Sequence, residues 1–188
     1  MYAALRRWNA GPGKKVAIAG LGGLGHLGVK IAHAMGADVT VLSQSLSKRD
    51  DGLRFGAGDY VATTDPATFG DLAQAFDLII NTVSASLGTD AYLGLLRLDG
   101  VLVNAGITAE ASSFHVPLLG DPRRIITSTK NGSIRQNQEM LGFCAQHGIG
   151  AEVETVPADQ ANSALERLDK GDVRYRFVID ASTFSASD

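Results

Sequence analysis

From Lys15 to about His147, short apolar runs that end in turn residues alternate with stretches whose apolar positions recur at helical spacing. The runs are VAIAG from Val16, VTVLS from Val39, DYVAT from Asp59, FDLIINTV from Phe76, GVLVNAG from Gly100 and RRIITST from Arg123. Continuous apolar runs suit strands buried on both faces, and strands alternating with helices predict repeated βα units around a parallel sheet. Between the runs, LGHLGVKIAHAMGA carries the clearest helical period, while KRDDGLRFGA and DPATFGDLAQA carry it less regularly. In the last of these, Asp65 before Pro66 predicts a helix start, with aspartate as cap and proline at the first helical position. Parallel neighbours need crossovers of about a dozen residues or more, and the spacing of the runs supplies them. The expected fold is therefore α/β, a doubly wound parallel sheet of about six strands.

After Gly148 the pattern changes to a strand (AEVETV), a helix opening near Pro157 and Asp159 and running to about Lys170, and a last strand, RYRFVID. This strand-helix-strand tail either extends the sheet or belongs to another domain. Residues after about Ser182 are small and polar and are expected to fray. The chain thus divides into a dinucleotide-binding domain over residues 1–150 and a C-terminal segment over 151–188.

The dinucleotide reading comes from VAIAGLGGLGHLGVKIAHAMGADVTVL, which sets Gly20, Gly22 and Gly25 at G-x-G-x-x-G spacing between a strand and a helix. The first glycine permits a tight turn, the second leaves room for a pyrophosphate against the backbone, and the third lets the helix lie close on the strand. Amides at the helix start then face the anion, helped by the helix dipole. A glycine-rich turn used only for packing is the bland alternative, and the strand-turn-helix context weighs against it. About 20 residues beyond the glycines, an NAD-binding unit offers an acidic residue to the ribose. Here stand Leu42, Ser43, Gln44 and Ser45, followed by Lys48 and Arg49. Hydroxyls and cations can donate to a 2′-phosphate that an acid would repel, so NADP(H) is expected. Asp50 and Asp51 could instead neutralise the two cations as an ordinary solvated face.

Composition narrows the field without redirecting it. The 188 residues are 45% hydrophobic and 20% charged, with 22 glycines and a net charge of −3, ordinary for an α/β protein. The basic residues form no patch, so no nucleic-acid partner is expected. No apolar stretch approaches the roughly 20 residues that span a bilayer, and MYAALRRWNAGPGKK does not read as a signal peptide, so no membrane partner and a cytoplasmic location are expected. One cysteine, Cys144, excludes an internal disulfide and a zinc site of clustered cysteines. His26 and His33 lie on the glycine helix and read as packing or surface residues, His115, His147 and Trp8 have no partner at informative spacing, and no catalytic or metal-binding residue is assigned.

The segment LRRWNAGPGKKVAIAGLGGLGHLGVKIAHAMGADVTVLSQSLSK, continuing through FDLIINTVSA, AYLGLLRLDGVLVNAG, SIRQNQEMLGFCAQHGIGAEVETVPADQ and VRYRFVID, resembles the cofactor domain of zinc-dependent medium-chain alcohol dehydrogenases. The nearest group is the cinnamyl alcohol dehydrogenase type. The resemblance implies hydride transfer between NADP(H) and an alcohol or aldehyde whose oxygen is polarised by zinc. It matches Gly20, Gly22, Gly23, Leu24 and Gly25 to the pyrophosphate turn, and Ser43, Ser45 and Lys48 to contacts with the 2′-phosphate. It also matches Thr82, Val83 and Ser84 to the turn passing beside the cofactor, and Val103, Asn104 and Ala105 to the strand end near the nicotinamide.

Two departures qualify the match. The family's zinc ligands and proton relay lie in an N-terminal half, and Met1-Tyr2 stands just after where its last catalytic-zinc cysteine would be. Zinc is therefore expected in the full-length family but not on this chain, which is expected to be inactive alone. A stand-alone NADP(H)-binding module without catalysis is the alternative. In the nicotinamide loop the family usually has Gly-Ser and two apolar residues, where this sequence has Ser128, Thr129, Lys130, Asn131, Gly132 and Ser133.

In the family the segment from about Ala151 packs on the zinc-bearing domain, which would leave Val153, Val156, Phe177 and Ile179 partly uncovered here. RRIITST would be an edge strand, and the resemblance implies a homodimer formed by pairing two such edges. Arg123 and Arg124 could instead discourage that pairing.

Overall fold

The computed structural model describes residues 1–120 and 122–184. The described chain divides into two units, Met1–Ile149 and Gly150–Asp188. The first is built on six parallel strands: β1 (Lys15–Ala19), β2 (Asp38–Ser43), β3 (Asp59–Ala62), β4 (Phe76–Asn81), β5 (Leu96–Asn104) and β6 (Ile125–Ser128), in the order β3-β2-β1-β4-β5-β6. Helices α1 (Tyr2–Arg7), α2 (Gly25–Ala34), α3 (Arg49–Arg54), α4 (Ala67–Asp71), α5 (Thr89–Gly94), α6 (Pro117–Gly120) and α7 (Ile134–Gln146) complete it. This is the expected doubly wound sheet. Among the described residues, no helix is long and apolar enough to cross a membrane.

Because side chains alternate along a strand, each apolar run buries two faces. Ala17 and Ala19 of β1, Leu42 of β2, Ile79 of β4 and Leu102 of β5 share a buried cluster with Tyr92 and Leu93 of α5. Val16 and Ile18 point the other way and are fully buried. There α2 packs at ordinary van der Waals distance, and a Cβ on Gly28 would sit 3.5 Å from Ile18 Cδ1. At the amino end of the sheet, the Asp77 carboxylate accepts from Lys15 N–H (2.8 Å), Arg97 Nε (2.7 Å) and Lys14 Nζ (3.3 Å). Burial alone would raise its pKa, but these donors outweigh burial and hold it below the ordinary value. Three strands are thereby tied together at the end remote from the glycine turn.

The helix start at DPATFGDLAQA lies one residue later than expected, with Pro66 at the N-cap position and α4 beginning at Ala67, although Asp65 Oδ1 still accepts from Ala67 N–H at 2.9 Å. Other expectations need correction. β5 starts at Leu96, not Gly100: Phe76 pairs with Leu96, but Leu78 already pairs with Val101, so the intervening residues bulge out around Asp99, whose φ is +59°. The polar residues Arg97 and Asp99 hid the early start. β6 starts at Ile125, because Arg123 and Arg124 belong to the turn before it. Arg123 Nε donates to Asp99 Oδ1 (2.8 Å), and buried Arg124 donates from Nε to Leu96 O (2.8 Å). Neither is therefore a charge placed along the β6 edge. Helices α1, α5 and α6 carry no clear period in the sequence.

In the second unit, β7 (Val153–Pro157) and β8 (Arg176–Asp180) pair in parallel as a separate two-stranded sheet, with α8 (Ala161–Asp169) between them in the chain. Arg167 of α8 donates to Glu154 Oε2 and Asp172 Oδ2, both at 2.9 Å, and its guanidinium covers Phe177 at 4.8 Å. Val153 and Ile179 are exposed, as expected, but Val156 is buried. The expected fraying of the C-terminal end falls largely on residues 185–188, outside the described ones.

Candidate functional site

In a doubly wound sheet the ligand crevice opens at the carboxyl ends of the strands, where the strand order reverses. Here that place is between β1 and β4. Parallel register aligns the strand ends, with Ala19 opposite both Leu42 and Asn81, and Asn81 opposite Asn104. The residues matched to cofactor contacts in the sequence stand at these strand ends, in the turns that leave them, or, for Gly25, at the start of α2.

The three glycines differ in what the protein demands of them. Gly20 adopts φ +89°, a left-handed conformation, and a Cβ there would meet Val83 Cγ2 at 2.9 Å and Thr82 Oγ1 at 3.0 Å. A Cβ on Gly25 would meet Gly20 O at 2.0 Å, so this glycine sets how closely α2 approaches the turn. At Gly22 a Cβ would meet no protein atom within 4 Å. Two glycines are thus explained by the chain's own geometry, whereas the third faces open space, as a cradle for a pyrophosphate would. Leu24 is exposed beside it, and Gly23 is half-buried.

Buried His26 steadies this turn. Its backbone N–H and its ring Nδ1 both lie 3.0 Å from Gly22 O, and a carbonyl can only accept, so Nδ1 carries the proton. Threonine holds the other side: Thr82 Oγ1 donates to Ala19 O (2.9 Å), with Gly20 O at 3.2 Å, and Thr82 N–H donates to Ala19 O (2.9 Å). Gly20 N–H in turn donates to Leu42 O at 2.8 Å. The sequence alone reads His26 as a packing or surface residue, and its hold on the turn depends on a ring orientation that spacing does not reveal.

Ser43 ends β2, and its carbonyl accepts from Thr63 N–H at 2.7 Å. Beyond it Ser45 and Ser47 are exposed, with their hydroxyls 2.9 Å apart, and half-buried Lys48 stands at the N-cap position of α3. Asp51, a candidate for neutralising the neighbouring cations, accepts from Arg54 Nη2 at 3.0 Å.

The turns after β4 and β5 are knitted by one residue, through both its side chain and its backbone, that the sequence did not single out. Asn81 is buried at 4% exposure. Its Oδ1 accepts from Val83 N–H (2.9 Å), its Nδ2 donates to Asn104 Oδ1 (3.0 Å), and its backbone O accepts from Ala105 N–H (2.8 Å) and Gly106 N–H (3.0 Å). Ser84 is exposed, Thr82 and Val83 are half-buried, and Val103 is buried beneath. Asn104 O accepts from Thr129 N–H at 2.9 Å, which leads into the segment bearing exposed Lys130 and Asn131. Ser133 and Gln136 then form a capping box that opens α7. Farther out, Asp90 accepts from His115 N–H (2.8 Å) and contacts its ring, and this lowers the pKa of Asp90 and raises that of His115.

Zinc has no comparable fit. Among the described residues, no three His, Cys, Asp or Glu side chains come together as metal ligands. Cys144 is half-buried, and burial pushes its thiol pKa up.

Comparison with known proteins fits this geometry. Residues 23–146 match the zinc-binding dehydrogenase family. The chain is 58% identical over 185 residues to NADP-dependent alcohol dehydrogenase C 1 of Mycolicibacterium smegmatis, covering 97% of this chain and 52% of that protein. Among solved structures, a cinnamyl alcohol dehydrogenase of Sorghum bicolor superposes with a TM-score of 0.95 at 38% identity, covering 100% of this chain and 54% of that one. The CAD of Helicobacter pylori complexed with NADP(H) superposes at 0.88 with 29% identity, covering 98% and 52%. The chain spans about half the length of the relatives it matches. It belongs to the zinc-dependent medium-chain alcohol dehydrogenases, which include the cinnamyl alcohol dehydrogenases, and corresponds to their cofactor-binding half.

Proposed function

We propose that this half holds NADP(H) along the carboxyl ends of β1, β2, β4 and β5, in an enzyme that moves hydride between the cofactor and an alcohol or aldehyde. The observation that carries the reading is the division among the glycines: Gly20 and Gly25 answer to the protein's own packing, and Gly22 answers to none of it. When bound, the nicotinamide supplies the hydride or accepts it. Gly22, Gly23 and Leu24 at the mouth of α2 would take the pyrophosphate, Ser43, Ser45 and Lys48 the 2′-phosphate, and Thr82–Ser84 with Val103–Ala105 the nicotinamide end. The relative named as NADP-dependent and the neighbour solved with NADP(H) support the choice of dinucleotide. Polarisation of the substrate oxygen belongs to a zinc-bearing half, against which we propose that residues 151–188 pack.

Two measurements test this. NADPH is expected to bind at least about tenfold more tightly than NADH, since one charge-assisted hydrogen bond to the 2′-phosphate contributes roughly 1.5 to 3 kcal/mol. Lys48→Ala should weaken NADPH and spare NADH. Calorimetric titration of both nucleotides decides it, and equal affinities overturn the 2′-phosphate assignment.

We also propose a homodimer through β6, the last strand of its sheet, where Ile125 is 42% exposed and the outer edge can pair with a second copy. Sedimentation velocity should show a dimer whose fraction rises with concentration, and a monomeric mass at the highest concentration removes the proposal.

A further inference from the structure

We infer that Asn81 is a positioning residue for the nicotinamide end of the cofactor. It fixes the turns after β4 and β5 relative to each other, and the inference rests on the NADP(H) reading above. Asn81 lies directly below both turns and is bonded to each. One planar carboxamide accepts from Val83 N–H and donates to Asn104 Oδ1, and the backbone carbonyl of the same residue accepts from Ala105 and Gly106. Because Val83 contributes an N–H, the atom facing it must be Oδ1, which leaves Nδ2 for Asn104. Aspartate lacks that donor, and an apolar side chain lacks both groups.

The two turns also touch. A Cβ on Gly106 would stand 2.1 Å from Val83 O, so a shift in one turn is felt by the other. A buried polar side chain needs partners wherever it stands. What marks Asn81 is that its partners are the loop residues Val83, Ala105 and Gly106 and the strand-end residue Asn104, none of them core side chains. Val83, Asn104 and Ala105 are among the residues assigned to the nicotinamide end, whereas the bonds that hold the phosphate turn, His26 to Gly22 O, Thr82 to Ala19 O and Gly20 N–H to Leu42 O, do not involve the Asn81 side chain.

The test separates the two ends of the cofactor. Wild-type chain is titrated with NADPH and with 2′,5′-ADP, which carries the 2′-phosphate and adenosine but no nicotinamide, alongside Asn81→Ala, Asn81→Asp and Asn104→Ala. Asn81→Ala should lose about tenfold in NADPH affinity, together with most of the nicotinamide fluorescence enhancement, and keep its affinity for 2′,5′-ADP. Asn81→Asp retains the acceptor for Val83, and the Asn104 amide can turn to donate to it, so it should recover most of the loss. Asn104→Ala breaks only one of the links and should show a smaller split in the same direction, which carries the test if Asn81→Ala does not fold. Equal losses for both ligands, or no loss for either, overturn the positioning role. Wild-type chain that binds neither ligand overturns the NADP(H) reading and this inference with it.

Discussion

Gly25→Ala is expected to destabilise the fold by about 3 kcal/mol or more and to abolish nucleotide binding with it. The new methyl would stand 2.0 Å from Gly20 O and 3.3 Å from Thr82 Oγ1. A flexible side chain could swing away from such a clash, but here the obstacle is backbone held in place. Gly20 N–H is bonded to Leu42 O, and Thr82 binds the carbonyls of Ala19 and Gly20. The remaining response is for α2 to lift from the turn, which opens its contact with Ile18 and removes the amides from the crevice. Urea denaturation should show a lower midpoint at unchanged slope, and a variant as stable as wild type would mean that α2 sits less tightly on the turn.

Gly22→Ala should do the reverse. Its methyl meets no protein atom within 4 Å, and its backbone is not left-handed, so stability should stay within about 0.5 kcal/mol of wild type. NADPH affinity should nevertheless fall at least about tenfold, because the methyl stands where the pyrophosphate would approach the backbone and costs it one or more charge-assisted hydrogen bonds. Parallel melting and calorimetry on the two alanine variants separate a glycine that serves the fold from one that serves a ligand. Unchanged NADPH affinity in Gly22→Ala would remove the pyrophosphate from this turn.

The features legible in the sequence are those written in neighbouring residues. The strand before Gly20, the spacing to Gly25 and the amphipathic helix after it are all local, and together they imply a strand-turn-helix unit before any contact is known. Strand order β3-β2-β1-β4-β5-β6 is written in no local run, because it depends on which strands meet across the sheet. Asn81 escaped notice because its meaning depends on Asn104, 23 residues away and one strand across. In the run FDLIINTV it reads as a strand end. Arg124 misled for the same reason. Two adjacent arginines before an apolar run look like surface charge, yet one of them reaches back to the carbonyl of Leu96, and only the folded sheet supplies that acceptor. The bulge at Asp99 hid the first residues of β5 because it interrupts the apolar pattern with polar positions.

The uneven tethering of the strand-end turns also bears on how cofactor preference can be changed. The turns after β1, β4, β5 and β6 are joined through Thr82, Asn81 and Asn104, whereas β2 joins this network at the Gly20 N–H to Leu42 O bond, one residue before the segment Ser43–Lys48 begins. That segment therefore behaves as an interchangeable part. If residues 43 to 48 read the ribose as proposed, a graft across them would change that reading without passing through the bonds at the proposed nicotinamide end, so selection for a different dinucleotide could proceed there by small steps, each leaving the other end of the crevice as it was.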